Sequence, residues 1–361
     1  MSEFKYPTVD KVLGPYLSER FANFTEEDQA VEVEVPDTLP ANIADKVRID
    51  TDEGILQFTP TQEDLDVWSD LTDDHNIVHK VDSPEFAGGF KGPVLHGNYI
   101  AALAESLVLQ YFEAHHREKV KDYFDGGILG SIKRFFTRRG VIGTLRYDFK
   151  EAFRPGQQLT MKVKDFQFKN AEDEDKDCMF SMECELLHPD SERKGKIGIE
   201  YLLRLPESPN LYDVLETEGL EVTCTDHVIM EQEELDTYCK IVNQLGKQIP
   251  FLFPVVRTNS KVLIKQFNEL KQRQDFDFDT GIYHKYTINI YSGARKLKAG
   301  DRLVAHYVPI SRMRRGIQKM RIYVTNEENK VLYEFNTKIS LLNEVNNDEP
   351  SMIQIKDAEM N

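Results

Sequence analysis

The chain is poor in the residues that staple or anchor a fold. Cysteine occurs only as Cys178, Cys184, Cys224 and Cys239. None of these forms a CxxC pair or stands at metal-type spacing from a histidine, so neither a disulfide framework nor a structural zinc site is expected. Thiols placed this way read as small core residues in a reducing compartment. No apolar run comes near the roughly 20 residues needed to span a bilayer. The N-terminal stretch "MSEFKYPTVDKVLGPYLSERF" carries Glu3 and Asp10 and has no apolar signal core, and transit peptides avoid acids. The closing "DAEMN" is not a peroxisomal address, so the cytoplasm is the expected location. Cations are scarce too: 45 Lys and Arg against 62 Asp and Glu leave a net charge of −17. A surface of that sign repels nucleic acid and anionic membranes, and an anionic ligand would need a local basic patch.

What is present is enough apolar material, 40% of 361 residues, for one large core or two ordinary ones. Residues 1–45 read as an N-terminal extension ending near the prolines of "VPDTLPAN". A short strand at "GILQFT" then turns helical after Thr61, a good N-cap with Asp64 in the capping-box position. From Asn98 to Tyr111 the chain is apolar on nearly every helical face, which predicts a helix buried all round. Four strand-like segments follow, "TLRYDFKEAF", "QQLTMKVKDFQF", "CMFSMECELLH" and "KIGIEYLLRL", separated by turn-rich connections. One buried helix followed by long antiparallel strands predicts an α+β fold with a sheet wrapped round the helix. The second half repeats this order with little residue identity: "LKAGDRL" stands where "FRPGQQL" stood, Pro254 opposite Pro93 and Asn259 opposite Asn98. An unrelated second α+β domain is the alternative. The expected division is 46–208, 209–345 and a tail at 346–361.

The chemistry concentrates where charge meets grease, in "LTDDHNIVHKVDSPEFAGGFKGPVLHGNYIAALAESLVLQYF". Asp74 and His79 are close enough in sequence to share one cleft, and a carboxylate beside an imidazole orients and activates water. In an acidic chain the same pair also reads as a solvated loop. Gly97 opens the predicted helix, where a bare backbone N–H at the positive end of the helix dipole could meet a developing oxyanion. A permissive cap is the plainer use of a glycine there. His96 reads by itself as a packed, hydrogen-bonded histidine.

Taken together, "TDDHNIVHKVDSPEFAGGFKGPVLHGNYIAAL" resembles the hydratase motif of the MaoC-like, R-specific enoyl-CoA hydratase (hydratase 2) family. That pattern runs roughly G-D-x-N-P-[IL]-H, then G-F-x-x-P-[IV]-x-H-G before a long central helix. Asp74, Asn76, His79, Phe90, Pro93, His96 and Gly97 fall on it. The resemblance spans about residues 46 to 208. It implies the hotdog fold, an antiparallel sheet wrapped round one helix, here as two hotdog domains of which the second is degenerate. Arg257 and Thr258 stand where His96 and Gly97 stand, so that half is expected to be catalytically silent. The chain departs from the pattern at Asp73, in place of glycine, and at Ile77, in place of proline.

The activity implied is that of a hydro-lyase, hydrating a 2-enoyl thioester or dehydrating an R-3-hydroxyacyl thioester. Asp74 and His79 would hold the water, the Gly97 N–H would meet the thioester oxygen, and Asn76 would fix the loop or help orient the water. No metal or redox cofactor is implied, and coenzyme A or acyl carrier protein enters as part of the substrate. His96 and Phe90 are weaker substrate-binding candidates. The cations Arg312, Arg314 and Arg315 with Lys319, and a second cluster at Lys133, Arg134, Arg138 and Arg139, could meet phosphates, although cations also protect strand edges. The fused halves would form a pseudo-dimer, standing alone or pairing further. Two other readings are a double-hotdog acyl-thioester-binding or partner protein without turnover, and a thioesterase on the same fold.

Overall fold

The computed structural model describes residues 47–342 apart from 51, 87–89, 124–141, 169–177, 203–204, 243–249, 273–279 and 312–316. The expected N-terminal extension and the tail at 346–361 therefore lie outside the described residues. In chain order the first half runs β1 (Val47–Asp50), β2 (Ile55–Phe58), helix α1 (Gln62–Thr72), the short β3 (Glu85–Phe86) and β4 (Phe90–Lys91), and helix α2 (Gly97–Tyr123). Strands β5 (Ile142–Asp148), β6 (Leu159–Phe168), β7 (Cys178–His188) and β8 (Ser191–Leu202) follow. The second half has α3 (Leu211–Glu218), β9 (Cys224–Ile229), α4 (Gln232–Ile241) and α5 (Leu252–Gln272). It closes with β10 (Thr280–Ile290), β11 (Arg302–Pro309), β12 (Ile317–Thr325) and β13 (Val331–Leu342).

Eleven strands form one antiparallel sheet in the order β1-β2-β6-β7-β8-β5-β10-β13-β12-β11-β9. Read inward from each side, β2-β6-β7-β8-β5 mirrors β9-β11-β12-β13-β10, and each half places two helices after its first strand. The sheet runs unbroken from one half to the other, because β5 pairs with β10 through Lys285 to Asn289 against Asp148 to Thr144. No described helix is long and apolar enough to cross a membrane.

Local signals start the elements where expected. Thr61 caps α1 by accepting from the Asp64 N–H at 3.2 Å, and Asp64 returns a bond to the Thr61 N–H at 2.8 Å. A cap of this kind stabilises a helix by about 1 kcal/mol. Leu65, Trp68 and Leu71 then face inward, and the Trp68 ring meets Tyr99 of α2 at 4.8 Å and Tyr238 of α4 at 5.7 Å. Helix α2 is buried from Asn98 to Val108 without a break, as its all-round apolar pattern requires. It is pinned by the central strand pair: the hydroxyl of Tyr147 (β5) donates to Ala101 O and that of Tyr286 (β10) to Gly97 O, both at 3.0 Å. Those tyrosines are direct partners across the two halves. In the second half, α3 lays Leu211 and Leu215 against Val308, Tyr323 and Val331, a smaller core on its own. This explains why stretches of β11 to β13 are buried on both faces. Cys184 and Cys224 are buried free thiols, as expected.

One buried acid ties the halves together. Glu105, in the middle of α2, is fully buried and accepts from the N–H groups of Phe251 and Leu252 at 2.9 and 3.1 Å, capping the start of α5. Burial raises its pKa from 4.5 to about 7, against the lowering effect of the two N–H bonds. A carboxyl raised on folding is stabilising while protonated, so its contribution is full below 4.5 and declines as pH rises toward 7. Glu105→Gln is therefore expected to flatten the fall in urea midpoint between those pH values relative to wild type. A wild type and variant that lose stability in parallel over that range would contradict the assignment.

Candidate active site

The site is assembled where α1 ends and α2 begins. Helix α1 stops at Asp73, which adopts φ 56° and ψ 27° and sends its N–H back to the last turn. This left-handed conformation is the natural place for glycine, and aspartate is among the few other residues that reach it cheaply. The departure at Asp73 thus leaves the loop in a glycine-like path. Asp74 follows immediately, its N–H donating to Ser69 O at 3.1 Å. Asn76 then caps a single 3-10 turn, Ile77–His79, by accepting from the Val78 N–H at 3.3 Å. Ile77 lies exposed on this turn, so replacing the proline strains no packing.

The turn is stitched to the second part of the motif. The Val94 N–H donates to Val78 O at 3.1 Å, and both valines are buried. His79 Nδ1 donates to Val94 O at 2.7 Å. That bond sets the tautomer, leaving Nε2 with a free lone pair. Gly92 makes the stitch possible: a Cβ there would lie 2.3 Å from Val78 O and 2.6 Å from the Ser83 Cβ.

Asp74, His79 and His96 converge. His96 Nδ1 lies 3.2 Å from Asp74 Oδ2, its Nε2 lies 3.1 Å from Ser69 Oγ, and its ring stacks on His79 with centroids 3.4 Å apart and planes at 25°. His96 is thus a packed histidine with both nitrogens engaged, and through it the end of α1 is tied to the start of α2. Burial by itself would raise the Asp74 carboxyl, but the neighbouring His96, by charge and hydrogen bond, holds it well below the usual carboxylate range. His79 is lowered to about 3, by burial first and then by His96. Near neutrality the site therefore presents an ionised carboxylate and a neutral imidazole, two proton acceptors side by side.

These three side chains also offer ligand atoms within 4.8 Å of one another, as a metal site would. Their geometry does not suit one. Imidazole lone pairs lie in the ring planes, so two nearly parallel stacked rings do not aim at a common ion about 2 Å away.

Gly97 follows His96 as the first residue of α2, where its N–H has no partner within the helix. A Cβ on Gly97 would lie 3.3 Å from Phe149 Cε2 and 3.7 Å from Tyr283 Cδ2, so aromatic rings from both halves crowd this helix start. Of the remaining candidates, Phe90 begins β4, but its side chain lies outside the described residues. So do Arg312, Arg314 and Arg315, and Lys133, Arg134, Arg138 and Arg139. Lys319 is exposed on β12. Sequence reasoning missed Ser69 and Tyr283, which arrive from other elements. Asn98 carried a faint signal as a lone amide in a greasy helix.

No family model and no curated protein matches the chain. Among solved structures, a MaoC-like dehydratase aligns at 9% identity and a TM-score of 0.47, over 80% of this chain and 98% of its own. A tesB protein from Mycobacterium avium subsp. paratuberculosis aligns at 7% and 0.42, over 83% and 98%. The 12:0-ACP thioesterase from Umbellularia californica aligns at 10% and 0.44, over 69% and 89%. Similarities this distant decide nothing about activity, which has to be argued from the site.

The close fit at Gly92 has a direct consequence. Gly92→Ala forces a methyl group against backbone, and overpacking of this kind costs about 1–3 kcal/mol. Thermal unfolding is expected to show that loss, together with release of the His79 turn. An alanine variant as stable as wild type would mean that the Val78–Val94 stitch is looser than described.

Proposed function

We propose that the chain is an R-specific 2-enoyl-thioester hydratase, working in reverse as a 3-hydroxyacyl-thioester dehydratase. The observation that carries this reading is the juxtaposition of an ionised Asp74 and a neutral His79, whose Nε2 has no hydrogen-bond partner among the described residues, beside the helix start at Gly97. Two acceptors can hold both hydrogens of one water and direct its oxygen at C3 of the enoyl group. As the O–C3 bond forms, the π pair moves to C2 and the thioester oxygen takes on enolate charge. The Gly97 N–H, at the positive end of the helix dipole, is suited to stabilise that charge. The proton taken from water, held on His79 Nε2 or Asp74, is then delivered to C2, which balances the addition. Coenzyme A or acyl carrier protein carries the acyl group, and no step calls for a metal or redox cofactor.

The second half supports a single site in the first. Where His96 and Gly97 stand, it has Arg257, paired with Glu234 through Nε at 2.7 Å and through its Nη2, and Thr258. Thr258 lies inside α5, whose own carbonyls engage N–H groups at that depth. The true start of α5 is already filled by Glu105. A thioesterase would use the same activated water on C1 instead of C3, and an acyl-binding partner protein would hold the substrate without turnover.

Loss of absorbance of crotonyl-CoA or a longer enoyl-CoA tests the proposal. Asp74→Asn and His79→Ala are each expected to lower kcat by roughly 10²–10⁴-fold with the fold intact by circular dichroism. Release of free thiol without hydration would favour the thioesterase, and tight binding without either would favour the partner protein. Because His79 is lowered to about 3, kcat/KM should stay flat as pH falls through the ordinary histidine value of 6.5. An acid limb centred near 6.5 would contradict the neutral His79 described above.

A further inference from the structure

The second half does more than mirror the first, because it sends one side chain into the first half's site. Strand β10 runs in register with β13 from Lys285 to Ile290, and its register then slips by one residue between Tyr283 and Lys285. His284 is the extra residue of this bulge, and its carbonyl takes the Phe149 N–H at 2.9 Å, just past the end of β5. In an unbroken strand, Tyr283 and Tyr286 would point to opposite faces. The bulge puts them on the same one. Their rings meet edge-on at 6.1 Å, and Tyr283 also meets Phe335 edge-on at 5.8 Å. A β-bulge commonly re-aims a side chain in this way.

The side chain is aimed at the start of α2. The Tyr283 ring lies 3.7 Å from where a Gly97 Cβ would stand, and Tyr286 beside it donates to Gly97 O. The Tyr283 hydroxyl is hydrogen-bonded with the buried Asn98 and lies within the field of the Asp74 carboxylate. Burial first, and then Asp74, push its pKa far up, so the phenol keeps its proton at every working pH. The Asn98 amide carries N–H groups able to donate to that oxygen, an arrangement that would leave the phenolic hydrogen to be given elsewhere.

We propose that Tyr283, supplied by the second half, is a catalytic donor that hydrogen-bonds the oxygen of the reacting water. This rests on the hydratase reading and deepens it. Asp74 and His79 are both acceptors and use the two hydrogens of that water, so its orientation is incomplete until something donates to one of its lone pairs. A donor there leaves the other lone pair to attack C3. In the dehydration direction the same O–H bonds the departing hydroxyl oxygen while His79 or Asp74 returns its proton, so the leaving group departs as water. The first half would then hold the acceptors and the second half the donor, so the site would be complete only with both halves in place.

The test uses the full chain. Tyr283→Phe keeps the ring and its packing and removes only the donor. It is expected to lower kcat for enoyl-CoA hydration roughly tenfold to a hundredfold, with KM and melting temperature little changed. In an Asp74→Asn background the same change should cost little more, because both residues act on one water. Unchanged kcat in Tyr283→Phe, a loss confined to KM, or an equal loss in both backgrounds would each overturn the assignment while leaving the hydratase reading intact. A wild type that hydrates no enoyl thioester would overturn both. Should Tyr283→Phe fail to fold, fluorotyrosine at position 283 alters the acidity of the donor at nearly constant shape. A changed kcat there supports the donor role, and an unchanged one rejects it.

Discussion

The first turns of helix α2, from Asn98 to Val108, are buried on every side, so something has to cover all of that segment. The two halves of the chain supply that cover jointly. Tyr147 and Tyr286, partners at the seam of the sheet, both reach down to its backbone, while Trp68 of α1 packs on Tyr99. Each such aromatic contributes a few kcal/mol of burial and, where its hydroxyl is bonded, avoids the penalty of an unpaired polar group. The seam, the helix and the site at its N-terminus are therefore one construction. Glu105 extends it, since the same helix that the seam covers caps the start of α5.

Electrostatics at the site follow from that cover. In a low-dielectric pocket a carboxylate survives only with a close partner, and a histidine there prefers to be neutral. His96 satisfies the first requirement for Asp74, and its ring stacked on His79 reinforces the second. Asp74 is thus held as a carboxylate and His79 as a neutral imidazole near neutral pH.

The two halves share an element order but differ at the matching helix starts. In the first half, α2 begins at Gly97, whose N–H has no partner among the described residues. In the second, α5 begins upstream, its start is filled by Glu105, and Arg257 is tied to Glu234. The second half nonetheless contributes to the first through β10, whose bulge turns Tyr283 inward. Through that strand the second half forms part of the wall around the start of α2.

Much of this was legible in the residues alone. Thr61 and Asp64 announced the capping box, the unbroken apolar face from Asn98 announced a helix buried all round, and alternation marked the strands flanking the turn at Gly156 and its counterpart at Gly300. Asp74 and His79 were legible as a pair because they lie close along the chain, where short-range spacing limits what can meet what, while His96 read by itself as a packed histidine. Strand β9 and helices α3 and α4 were not read, being short and weakly patterned. The local sequence determined which groups could do chemistry and marked the capped start of α1 and the strongly patterned strands. Only the tertiary structure decided that His96 would join Asp74 to Ser69, that Glu105 would cap a helix in the other half, and that a one-residue bulge would bring Tyr283 to Asn98. Those contacts join residues far apart in sequence, and no local period or spacing records which distant strand will lie beside which helix.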